Sequence, residues 1–135
     1  MIVLIEPFSV LLVDGNALKI ERVNDEVFGG FCKCGGRMVQ KGWVGERILV
    51  SECEKCWRVE ALFFNGKKLV SRKEVWVVYR QNMEEFLREL LSPAELEAVS
   101  RKAKNVPYNY NAFSRAKKKL EEINLNVDEV MELLR

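Results

Sequence analysis

Four cysteines stand in this chain as two close pairs, Cys32-Lys33-Cys34 and Cys53-Glu54-Lys55-Cys56, with eighteen residues between them. That spacing constrains the fold more than any other feature. Two short pairs about one hairpin apart present four sulfur ligands around a single point once the hairpin closes. Histidine is absent from all 135 residues. This removes mixed Cys/His metal sites, the commonest general base and the usual partner of a nucleophilic serine or cysteine. Thiolates are therefore the strong ligands available, and the pattern predicts one zinc ion held by Cys32, Cys34, Cys53 and Cys56. Four thiolates close a tetrahedral zinc shell and leave no position for water, so the predicted metal is structural rather than catalytic. The competing readings are ordinary buried thiols, disulfides, or a redox pair at Cys53 and Cys56. A redox Cys-x-x-Cys normally opens a helix, whereas the β-prone run Val-Glu-Ala-Leu-Phe-Phe follows here.

The sequence around the pairs is rich in strand signals. Residues 8–23 contain two β-prone runs separated by Asp14-Gly15-Asn16, which predicts a hairpin. Four more β-prone runs follow at 37–43, 46–52, 59–64 and 69–79, with Gly45 and Asn65-Gly66 at turns. After the first pair, Gly35 and Gly36 allow positive φ, so the backbone can fold beneath a metal and aim N–H groups at sulfur. In these residues the chain resembles the zinc-ribbon proteins, over about residues 30–65. The gap between Cys32 and Cys34 is one residue shorter than the usual Cys-x-x-Cys-Gly. The resemblance implies a ribbon fold and a setting in transcription, translation or replication.

From Asn82 the apolar period changes. Met83, Phe86, Leu87, Leu90 and Leu91 fall on one helical face. Ser92-Pro93 reads as a cap with proline at the first helical position, opening a helix to about Ala103 with Leu96 and Val99 inward. A third helix starts near Asn109 or Asn111, with Phe113, Ala116, Leu120 and Ile123 as its apolar stripe, and Asn126 caps a last helix ending at Leu134. The expected architecture is α+β: a β-rich region over 1–81 holding the hairpin and the four-cysteine ribbon, then a helical region over 82–135.

Charge is segregated along the helical region. Residues 98–120 carry seven Lys and Arg and no acidic residue, within a chain of net charge +2. Residues 82–97 and 121–135 each come to −4. A helix, a break and a basic amphipathic helix resemble a helix-turn-helix pair in outline. The predicted nucleic-acid contacts are Arg101, Lys102, Lys104, Asn111, Ser114, Arg115, Lys118 and Lys119, residue types that reach phosphates and bases. The alternative for such a run is a solvated cationic face. Tyr108 and Tyr110, and Trp43 and Trp57 nearer the cysteines, are candidate stacking groups. Trp57, next to Cys56, is expected instead to shield the metal.

The leading reading is therefore a zinc-stapled, nucleic-acid-associated protein, with DNA or RNA as partner. A protein-interaction adaptor docking on a larger complex, such as RNA polymerase or the ribosome, is the alternative. No Gly-rich phosphate loop, activated nucleophile or carboxylate pair points to an enzyme or to a small-molecule substrate. Glu6 and Pro7 interrupt the apolar start, no stretch reaches membrane-spanning length, and four thiols suit a reducing compartment, so a cytoplasmic location is expected.

Overall fold

Alternating apolar residues punctuated by glycine turns make the first half of the chain a β structure. The structure, a computed structural model, describes residues 1–135. It divides into two units, Met1–Val77 and Val78–Arg135. The strands are β1 (Ile2–Ile5), β2 (Val10–Val13), β3 (Asn16–Lys19), β4 (Glu21–Arg22), β5 (Phe28–Phe31), β6 (Arg37–Val44), β7 (Ile48–Cys53), β8 (Val59–Asn65) and β9 (Lys68–Glu74) of the first unit, and β10 (Trp76–Val78), whose last residue is the first of the second unit. One sheet has the order β10-β1-β2-β3, the other β4-β6-β7-β8-β9 with β5 also pairing β6.

The predicted hairpin is β2–β3. Val13 pairs Asn16 across a two-residue turn in which Asp14 and Gly15 have φ of 50° and 86°. Both values suit the twist of a tight hairpin. β1 was not legible as a strand, because its four residues are buried without alternation. A continuous apolar run is what a strand covered on both faces looks like. Ile2, Leu4 and Leu11 of the first sheet and Ile48, Val50, Val59 and Ala61 of the second form one core. The two sheets thus close over a shared interior, and the cysteine-bearing segments are built into this larger unit. Phe63 packs on that core while Phe64 stacks on Trp43 at 5.8 Å, on opposite faces of β8.

The second unit contains α1 (Met83–Leu90), α2 (Pro93–Ala103), α3 (Tyr110–Glu122) and α4 (Val127–Leu134). Its caps are those expected. Ser92, Asn109 and Asn126 each accept a backbone N–H of the following helix. Phe113, Ala116, Leu120 and Ile123 are buried, and α2 packs against both α3 and α4. No helix is long and apolar enough to cross a membrane.

Candidate metal centre and basic helix

Strand register assembles the cysteines. Met38 of β6 pairs Cys53 of β7, so the loop joining β5 to β6 lies beside the loop joining β7 to β8. Cys32 and Cys34 come from the first loop, Cys53 from the last residue of β7 and Cys56 from the second loop. Their four Sγ atoms all lie within 4.8 Å of one another. Cys32 and Cys56 approach to 3.5 Å, as do Cys34 and Cys53. All four are free thiols. Four sulfurs around one zinc would stand about 3.8 Å apart, whereas a disulfide needs about 2.05 Å. The four cysteines can hold one metal ion, and their spacing matches a tetrahedral thiolate shell.

The backbone is arranged to serve sulfur. The N–H groups of Lys55 and Cys56 donate to Cys53 Sγ at 3.4 Å, and the Gly36 N–H donates to Cys34 Sγ at 3.4 Å. The Cys56 N–H leads in lowering the Cys53 thiol to about 6, against burial, with the Lys55 N–H and the Cys34 and Cys56 thiols assisting. Cys56 goes the other way. The Arg58 N–H acts downward, but burial and the neighbouring thiols of Cys32, Cys34 and Cys53 push it up to about 12. Four thiols packed this closely cannot all ionise without a cation among them.

Of the two glycines, only Gly35 adopts positive φ, at 88°. Gly36 is required for space instead. A Cβ there would lie 2.7 Å from Cys53 Sγ and 3.2 Å from Cys34 Sγ. The backbone passes directly beneath the sulfur cluster, a cradle that any side chain would fill. Trp57 does not shield the site. It is 69% exposed and holds φ at 66°, a left-handed conformation in the position that follows the last ligand.

A buried ion pair braces the same region and was missed from sequence. Glu60 on β8 is 1% exposed, and Arg72 on β9 donates to it at 2.6 Å and to the Phe31 carbonyl at 2.6 Å. The guanidinium also lies 3.5 Å from Met38 Sδ, beside the buried Cys32 and Cys53. A single Arg among many surface cations carries no sequence signal for such a role.

In the helical unit the eight predicted contacts separate into two groups. Lys119 binds the buried carboxylate of Glu95 at 2.7 Å and Arg115 approaches it at 3.5 Å. Arg101 pairs with Glu97 and reaches the Pro107 carbonyl. Lys102 sits over the rings of Phe113 and Tyr108, at 4.2 and 5.4 Å. These four have intramolecular work. Lys104, Asn111, Ser114 and Lys118 are exposed, as are Lys117 and Tyr110, which is 72% exposed. Tyr108 is the tyrosine that packs inward, edge-on to Phe113 at 5.5 Å.

Comparison with known proteins gives two family matches. The AF0631-like N-terminal beta-barrel domain matches residues 1–77, and the AF0631-like C-terminal four-helix domain matches residues 80–133. A protein of Archaeoglobus fulgidus described as an uncharacterized protein is 44% identical over 138 residues, spanning the whole of both chains. No solved structure matches.

Proposed function

The chain belongs to the AF0631-like family through both of its domains, and from that premise we propose that it is a zinc-stapled protein that binds nucleic acid through its third helix. The zinc would be held by Cys32, Cys34, Cys53 and Cys56 in the manner of a zinc ribbon. It would supply a cross-link between two loops, while the chain's own N–H groups quench thiolate charge. Metal analysis should find one zinc per chain, and Cys53→Ser should abolish it. Carefully purified protein without metal overturns this part.

The observation that supports nucleic-acid binding is the face of α3 bearing Asn111, Ser114, Lys117 and Lys118, with Lys104 at the end of α2 also exposed. These lysines have no carboxylate of their own chain to pair with. Cations left free on a rigid helix are available to phosphate, with Asn and Ser beside them as groups that reach base edges. In this reading α2 and α3 act as a helix-turn-helix-like pair. Phosphate contacts dominate, so affinity falls steeply with salt. Fluorescence anisotropy with duplex and single-stranded DNA and RNA across a salt series tests it. Lys117→Glu combined with Lys118→Glu should weaken binding and flatten the salt slope by about 1.4 on single strands. Binding that ignores salt, or its absence, sinks the reading.

A further inference from the structure

At the end of the barrel away from the cysteines, a cleft of about 1080 Å³ opens between the β6–β7 turn, the β8–β9 turn and Leu18 of β3. Ile48 lines it at the start of β7, and Cys53 ends that strand about 17 Å away, so the cleft is separate from the sulfur cluster. Its floor is the core itself. Ile48 belongs to the buried cluster, Leu18 and Val44 pack against that cluster while still partly exposed, and Phe64 supplies a wall. Gly45 and Gly66, at positive φ in the two turns, carry no side chain to close the opening, and a Cβ on either would meet nothing within 4 Å.

The rim is charged, and its charges are unpaired. Arg47 and Lys67 line the cleft from the two turns, exposed, with no ion pair or side-chain hydrogen bond to their own chain. Lys19 and Lys68, next along the chain to Leu18 and Lys67, are exposed and unpaired as well. Glu46 is the one carboxylate lining the cleft, so four cations stand around it against a single acid. The clefts of the helical unit differ. Arg101 and Arg88 line them, and each is already paired, with Glu97 and Glu84. In the barrel an apolar floor meets cations that nothing in the protein neutralises. A concave apolar site with a few convergent polar groups, at the mouth of a β-barrel, is the usual form of a small-ligand site.

We propose that this cleft binds a small amphiphilic anion, with an alkyl or acyl chain on the floor of Leu18, Val44 and Ile48 and a carboxylate or phosphate head between Arg47 and Lys67. The site is independent of the metal and of the nucleic-acid reading above. Asn65 is the one neutral polar side chain in the lining, so the cleft holds little to read the edge of a base or the hydroxyls of a sugar. An apolar chain gains by leaving water, and the head group gains two cations free to make charge-assisted hydrogen bonds.

Amide chemical shifts of the full-length protein, titrated with octanoate, octyl phosphate, octylamine and octanol, test the site. The two anions should shift amides over residues 44–48 and 64–67 saturably and leave those of 31–37 and 53–58 in place. They should bind about fivefold or more tightly than octanol or octylamine. The tighter of the two anions identifies the head group. Arg47→Ala combined with Lys67→Ala should bring both anions down to the affinity of octanol, with octanol binding and melting temperature unchanged, because both side chains are exposed. Leu18→Trp fills the floor and should abolish binding of both anions; if that variant does not fold, the double-alanine variant decides. No saturable shift from either anion overturns the site. So do anions that bind no more tightly than octanol or octylamine, which would make the rim a set of solvated charges, and so does undiminished anion binding in the double-alanine variant.

Discussion

At the residue scale, the cysteine site is governed by close approach. Gly36→Ala places a methyl 2.7 Å from Cys53 Sγ and from Lys55 Cβ, wedged between the first carbon of one side chain and a candidate metal-binding sulfur. It should weaken zinc binding by about tenfold or more, measured by competition with a chromophoric chelator. Gly35→Ala meets no neighbour and pays only for its positive φ, so its effect should be far smaller. The brace behind the site is asymmetric too. Arg72→Ala strands the carboxylate of Glu60 at 2% side-chain exposure, with Arg58 3.8 Å away as a remaining cation. Glu60→Ala leaves a guanidinium that is 33% exposed and can turn toward water. Urea denaturation should therefore show about 3 kcal/mol lost in Arg72→Ala, and less in Glu60→Ala.

At the element scale, helix α2 shows how much of a terminus is written locally. Ser92-Pro93 predicted the start, and Ser92 Oγ accepts the Glu95 N–H at 3.2 Å while Glu95 accepts the Ser92 N–H at 2.8 Å. Ser92→Ala should cost the helical unit about 1 kcal/mol in thermal or urea unfolding. Glu95 was legible as one of many acidic residues, not as the buried partner of Lys119 and Arg115 on another helix. Burial pushes its carboxyl up, but the hydrogen bond from Lys119 and those with Ser92 outweigh this and hold it below the usual 4.5. A lowered folded-state value contributes stability that is present above the unfolded value and is lost as pH falls through the folded one. The helical unit should lose stability as pH drops below about 4.5, and Glu95→Gln should abolish that component of the pH dependence, read as urea midpoints across pH.

At the scale of the whole molecule, the cysteine loops and the barrel interior are distinct pieces of the first unit. Cys32, Cys53 and Met38 form their own small buried cluster, apart from the core of Ile2, Leu4, Leu11, Val50 and Ala61. A ribbon standing alone would unfold without its metal. Here the loops sit on a sheet with its own interior. Removing zinc with a chelator should release amide protection over about residues 31–37 and 53–58, while amides of β1, β2 and β7 stay slow to exchange by hydrogen-exchange mass spectrometry. Cooperative loss of all protection in the first unit would show that the metal holds the entire barrel.

The sequence by itself determined what depends on neighbours along the chain: the Asp14-Gly15 turn, the caps at Ser92 and Asn126, the apolar stripes of the helices, and, by spacing, the four cysteines that the fold brings together as a set able to hold a metal ion. Turn geometry, capping and helical period are short-range and leave their mark within a few residues. Tertiary structure decided what depends on distant pairs. It buried β1 on both faces, set Arg72 on Glu60, drew Lys119 and Arg115 to Glu95 and so left Lys104, Lys117 and Lys118 as the free cations of the basic run. It also turned Trp57 out from the cysteine cluster it adjoins. The four cysteines were legible because their chemistry needs only to be brought together. The work of each cation was not, because a charged side chain takes its role from whichever group the fold places opposite it.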